Sequence, residues 1–226
     1  MPSLKNWDNK TWISSRKYIE SFNNFILKQK KLNKDSKILD IGCGRGKIVG
    51  TLSSKLRLKN KPIGIDITNH KDKDKRIKFK KIDALSFFLK NKDKFDLIFI
   101  DGLHTYKQVK KDIKNSLDCI SEKGFILIHD CFPLSYYDQA VPRAQRKWNG
   151  DVWKAIIEFR TENNINVMVG AFDNGIGLIY KRKNKNKLFL VKNFNEVNYE
   201  DYYNNYFSYL NLVDSKTFFN EVNDFE

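Results

Sequence analysis

The segment Lys37-Ile-Leu-Asp-Ile-Gly-Cys-Gly-Arg-Gly46 constrains the fold more than any other. Its apolar run, Ile38, Leu39 and Ile41, has the length of a buried strand. Three glycines at alternate positions, Gly42, Gly44 and Gly46, then mark a turn that needs unusual dihedrals or close backbone approach. Lys47 to Leu58 follows with helical spacing. A strand that enters a helix through such a turn aims free N–H groups and the positive end of a helix dipole at one spot.

Two acids sharpen this reading. Asp40 lies two residues before the first glycine, and a second apolar run, Pro62-Ile-Gly-Ile-Asp66, ends in an acid twenty residues after Gly46. An acid at the tip of a second strand is placed to accept hydrogen bonds from a ribose diol. The glycine spacing is neither Gly-x-Gly-x-x-Gly nor that of a phosphate loop, and Asp40 would repel phosphates. An acid there suits a cationic amino or sulfonium group.

The alternation continues. Strands are expected at about 77–82, 95–101 and 124–130, with helices at about 84–90 and 105–119. Repeated strand–helix units imply a parallel sheet covered on both faces, and continuous apolar strands such as Leu97-Ile-Phe-Ile and Phe125-Ile-Leu-Ile fit it. Residues 132–150 break the rhythm with Pro133 and Pro142. A helix is expected at about 151–163. Two strands, 165–172 and 176–180, then flank Asp173-Asn-Gly175, a hairpin signal.

The expected fold is therefore a doubly wound α/β domain with seven strands, mostly parallel, and an antiparallel last strand. Three regions are expected: a helical extension over 1–36, the α/β domain over 37–182 and an acidic, aromatic-rich extension over 183–226. In the first, Trp7, Trp12, Tyr18, Phe22 and Ile26 recur at helical spacing. The last holds ten aromatic residues between 193 and 226. Packing on the domain, a homodimer contact and a substrate lid are all open readings of that tail.

In an open α/β sheet, ligands sit at the carboxyl ends of the strands. That edge collects Asp40, Gly42 and Gly44 from strand one, Asp66 from strand two and Asp83 from strand three. Strand four adds Asp101, Gly102 and His104, and strand five adds His129, Asp130 and Cys131. Burying so many ionisable groups without partners or a ligand costs several kcal/mol.

The chain resembles the class I S-adenosylmethionine-dependent methyltransferases, whose first motif is apolar-Asp-x-Gly-x-Gly-x-Gly. Ile100-Asp-Gly-Leu-His-Thr-Tyr-Lys-Gln-Val109 and Ile128-His-Asp130 resemble one branch, the small-molecule and sugar O-methyltransferases. The resemblance spans about residues 36–182. It implies that Asp40, Gly42, Gly44 and Gly46 surround the methionine part of S-adenosyl-L-methionine and that Asp66 holds the ribose. Asp83 and Ala84 meet the adenine, and Asp101 also borders the cofactor. It further implies Asp101 and Asp130 as holders of a divalent cation such as Mg2+, while His104, a histidine just past strand four, is the first candidate base, with His129 second and Asp101 beside them. No third metal ligand is evident beyond the insert's Asp138. Tyr136, Tyr137, Arg143, Arg146 and Trp148 are candidates for acceptor contacts.

The implied activity is O-methylation of a small hydroxylated acceptor, such as a sugar in polysaccharide biosynthesis or a glycoside. The alternatives are an RNA methyltransferase and an inactive cofactor-binding homologue. The net charge of +15 favours RNA, but the lysines are spread over nearly every polar segment rather than gathered in one stripe. Strand four also ends without the Asp/Asn-Pro-Pro-Tyr box of base-amine methylation. Three cysteines without a Cys-x-x-Cys pair indicate neither a disulfide framework nor a zinc site. With no apolar stretch of membrane-spanning length and no signal core, a cytoplasmic location without membrane insertion is expected.

Overall fold

The computed structural model describes residues 30–190 and 193–224. The expected N-terminal helix up to Ile26 lies outside the described residues. The elements are β1 (Ile38–Ile41), α1 (Lys47–Leu56), β2 (Ile63–Asp66), β3 (Lys78–Lys81), α2 (Ala84–Lys90), β4 (Phe95–Ile100) and α3 (Tyr106–Cys119). They continue with β5 (Ile120–Ile128), α4 (Tyr136–Gln139), α5 (Val152–Phe159), β6 (Ile165–Gly170), β7 (Ile176–Lys181), α6 (Tyr199–Leu210), β8 (Leu212–Val213) and α7 (Ser215–Asp224).

One sheet holds all eight strands, in the order β3-β2-β1-β4-β5-β7-β6-β8. Strands β3 to β5 are mutually parallel, and β7 runs antiparallel between β5 and β6. This is the expected doubly wound arrangement with one correction: eight strands instead of seven. The extra strand is short and comes from the tail, where Val169 pairs with Leu212 and Gly170 with Val213.

The continuous apolar strands are explained by burial on both faces. In β4, Ile98 and Ile100 point into the core layer formed with α3, α5 and α6, while Leu97 and Phe99 join the layer on the other face with α1 and α7. Successive strand residues face opposite ways, so a sheet covered on both sides needs apolar residues at every position.

The tail closes this core. Phe218 of α7 is fully buried and meets Phe172 edge-on at 5.3 Å. Tyr202 of α6 lies 4.6 Å from the Trp153 ring and donates to the Pro133 carbonyl at 3.1 Å. Buried Arg160 donates to the carbonyls of Ser208, Tyr209 and Asn186, so its charge faces the carboxyl end of α6. Among the described residues no helix is long and apolar enough to cross a membrane.

Phe218→Ala leaves a cavity under β6 and should cost about 3–5 kcal/mol. Urea denaturation monitored by circular dichroism measures it. A cost below about 1 kcal/mol would show that the tail is an ornament on the domain instead of part of its core.

Candidate active site at the carboxyl edge of the sheet

The glycine turn is shaped by close approach. Gly42 (φ 78°) donates to the Ile65 carbonyl at 2.9 Å, and a Cβ on it would strike the backbone of Asp101 and Gly102. Strands β1, β2 and β4 are thus drawn together at one point. Gly46 (φ 72°) is the N-cap of α1. A Cβ on Gly44 (φ 53°) would meet nothing within 4 Å, so that side of the turn faces open space.

Beside the turn lies a cavity of about 830 Å3. Its wall includes Gly42, Asp66, Asp83, Ala84, Asp101 and Gly102. Ile67, Leu85 and Leu103 are more than half exposed and line the same cavity, which gives it the apolar surfaces a flat ring can lie between. Asp66 accepts from Gly44 N at 2.9 Å and Thr68 N at 2.7 Å, and His70 Nε2 lies 3.9 Å from it. Asp83 caps α2 by accepting from Ser86 N at 2.9 Å, and this bond lowers its pKa.

Asp40 is 1% exposed, and neither carboxylate oxygen has a hydrogen-bond partner among the described residues. Burial pushes its pKa well up, reinforced by the negative charges of Asp101 and Asp66. A buried, unpartnered acid below a glycine turn fits a cationic ligand, as does the open space at Gly44. The cavity residues therefore fit S-adenosyl-L-methionine.

Next to this cavity, four groups from β4 and β5 converge. His104 lies 3.2 Å from Asp101 through Nε2 and 3.1 Å from Asp130 through Nδ1. His129 Nδ1 lies 3.2 Å from Asp101 and 3.4 Å from Asp130. Burial opposes charge on His104, but hydrogen bonds to Asp101 and Asp130 outweigh it and raise the pKa to about 9. His129 is raised in the same way, with burial overcome by Asp130 and Asp101. Burial works against the charge of Asp101 and Asp130 as well, and the two histidines overcome it and lower both.

The ligand atoms of Asp101, His104 and Asp130 lie within 4.8 Å of one another. Two carboxylates and an imidazole suit a divalent cation such as Mg2+ or Mn2+, with water completing the shell. The third group of this cluster is His104, and Asp138 is not part of it. Asp138 is buried and already accepts from Gln145 at 2.7 Å and Lys147 at 2.9 Å.

The insert is fastened to this cluster. The Trp148 ring stacks on His104 at 5.5 Å and 17°, with the Arg143 guanidinium 5.7 Å from the Trp148 ring. Gly150 (φ 64°) passes so close that a Cβ would enter the His104 carbonyl, and Asp151 caps α3 by accepting from Tyr106 N at 2.6 Å. Arg146 is exposed. Tyr136 turns toward α6, edge-on to Tyr199 at 5.8 Å, and Tyr137 packs edge-on to Tyr136 at 6.0 Å.

Two residues of the site escaped the sequence reading. Asn149 donates to Asp130 Oδ1 at 3.3 Å and to the Asn174 carbonyl at 3.2 Å. Asp173 heads the β6–β7 hairpin with φ 53°, and its turn is clamped to the exit of β5 by Cys131 N to Gly175 O and Phe132 N to Asn174 O. Burial pushes Asp173 up to about 7, with His129 pulling down and Asp130 and Asp101 pushing up. The hairpin signal was legible, but not that β7 would set its acid beside Asp130.

This sheet order, with a glycine turn after β1 and acids at the ends of β1, β2 and β4, defines a class I S-adenosylmethionine-dependent methyltransferase fold. Residues 39–131 match the family model described as "Methyltransferase domain". No curated protein matches the chain. Among solved structures, the chain is similar to a Podospora anserina methyltransferase with bound S-adenosylhomocysteine, at 19% identity, covering 79% of this chain and 84% of that one with a TM-score of 0.55. It is also similar to an O-methyltransferase of Bacillus cereus in complex with S-adenosylhomocysteine (14% identity, 78% and 86% covered, TM-score 0.53). A third is the O-methyltransferase TomG of Streptomyces achromogenes with S-adenosylmethionine (12% identity, 79% and 86% covered, TM-score 0.53).

Because its pKa is raised in the folded protein, Asp40 makes folding less favourable as pH climbs above the carboxylate value of the unfolded chain, about 4. Asp40→Asn should therefore melt higher than the parent at neutral pH, and the gap should close as pH falls toward about 4. A melting series from pH 4 to 8 checks this, and a gap that does not change with pH contradicts it.

Proposed function

We propose that this chain transfers a methyl group from S-adenosyl-L-methionine to a hydroxyl oxygen of a small acceptor, a sugar or glycoside, with a divalent cation held by Asp101, His104 and Asp130. The observation that carries this reading is the convergence of those three groups beside the cavity that Gly42, Asp66 and Asp83 line. The cofactor supplies an already activated methyl on a cationic sulfur, so the protein's task is orientation and proton removal.

Asp40 and the glycine turn face the methionine end, and Asp66 takes the ribose hydroxyls. Asp101, His104 and Asp130 would hold the cation, whose chemistry there would be to orient the acceptor hydroxyl and lower its pKa. His104 bridges the two carboxylates through both ring nitrogens, so in this arrangement it acts as a donor. As one of the groups that would hold the cation, it would not also serve as the base, and loss of the hydroxyl proton would rest on the lowered pKa of the acceptor. His129 sits behind Asp101 and Asp130 and holds both in place. The Trp148 ring and Arg143 form the wall on the acceptor side.

Transfer of a labelled methyl group to a panel of sugars, glycosides and catechols tests the reading. Activity should vanish with EDTA and return with Mg2+ or Mn2+. Asp130→Asn should lower it by about 100-fold or more, the scale for losing a charged catalytic contact. Transfer to RNA with none to the small acceptors, or full activity in EDTA, contradicts the proposal.

A further inference from the structure

The cavity does not stop at Asp83 and Ala84. It continues along α3, where Gln108, Asp112 and Asn115 form part of its wall opposite Leu85 of α2. Positions 108, 112 and 115 are spaced one helical turn apart, so they share one face of α3. Asp112 is 2% exposed although it sits in a cavity wall. Its hydrogen bond among the described residues comes from Gln108 Nε2 at 2.9 Å. Burial pushes its pKa up to about 6, against the pull of the Gln108 bond and Lys111. A carboxylate kept inside a wall with a single neutral donor leaves acceptor capacity unused. Such a group is costly unless a ligand donates to it.

The acid that the family resemblance assigns to the adenine is Asp83, and it is exposed, so water competes for its free oxygen. Its Oδ1 accepts from Ser86 N as the cap of α2, and its side chain stands in the open. An adenine between Leu85 and Leu103 presents one strong donor, the exocyclic amine. We propose that Asp112, steadied by Gln108, accepts a hydrogen bond from that amine and so selects the adenine ring. The inference rests on the S-adenosyl cofactor reading above. Gln108 keeps a second N–H for a ring nitrogen of the same edge. A pocket built around such a donor binds poorly when the donor is missing, because the buried acceptor is then left unpaired.

The test is calorimetric titration of the full chain with S-adenosylhomocysteine and with its 6-deamino analogue, in which the purine carries hydrogen in place of the amine. The parent protein should prefer the 6-amino compound by about 10- to 100-fold, the scale of a hydrogen bond to a charged group. Asp112→Leu should bring the ratio near one, by weakening the 6-amino compound and relieving the unpaired acceptor that the deamino compound leaves. Asp112→Asn, which keeps the shape, should give an intermediate ratio and decides the matter if the leucine variant does not fold. Equal binding of both compounds by the parent, or a preference that survives both substitutions, overturns the inference while leaving the cofactor reading intact. Failure of the parent to bind S-adenosylhomocysteine at all overturns both.

Discussion

Crowding of carboxylates at one edge of a parallel sheet is the constraint around which this molecule is built. Parallel strands end together, so Asp40, Asp66, Asp101 and Asp130 are brought to one line by topology alone. The protein resolves the crowding in two ways. At Asp101 and Asp130 it supplies two histidines, which form a compensated cluster. At Asp40 no partner is supplied among the described residues, and the acid stays buried beside a glycine turn. The first arrangement can exchange protons for a divalent cation. The second is relieved by a cationic ligand. Both demands are what the proposed reaction would use, a sulfonium cofactor placed next to an acceptor hydroxyl on a divalent cation.

The rest of the structure keeps this edge in register. The insert grips the loop after β4 through Trp148, Gly150 and Asp151, and the hairpin after β6 grips the exit of β5 through backbone bonds at Cys131 and Phe132. Asn149 links the two grips. Three consecutive positive φ values at Asp173, Asn174 and Gly175 tighten that hairpin, and two of them fall on residues with side chains. Left-handed backbone at such positions costs on the order of 1 kcal/mol each and persists where the surroundings over-determine it. Behind the edge, α6 and α7 seal the sheet, and α6 meets the insert where Tyr199 packs edge-on to Tyr136.

Much of this was legible in the sequence because it depends on local patterns. Strands buried on both faces read as unbroken apolar runs, as in Leu97-Ile-Phe-Ile, and Gly42 and Gly46 announced a turn of positive φ. What stayed hidden depends on tertiary pairing. Strand β8 has two residues and no periodicity, and it exists because Leu212 and Val213 reach the free edge of β6. Asp138 read as a possible third metal ligand because Gln145 and Lys147 close on it only through the path of the insert. Asp112 carries no local signal that its face of α3 turns into a cavity. His104 as a third ligand group had a signal, the three-residue spacing from Asp101 just past a strand end.

The central claim, that the unpartnered acid and glycine turn form a site for an S-adenosyl ligand, is tested most directly by calorimetric titration with S-adenosylhomocysteine against NAD, repeated on Asp66→Ala. The account predicts micromolar binding of the first, typical of ligand affinities in this range of about −8 kcal/mol, and its loss on the substitution. Preference for NAD, or binding of S-adenosylhomocysteine that ignores the loss of Asp66, would contradict it.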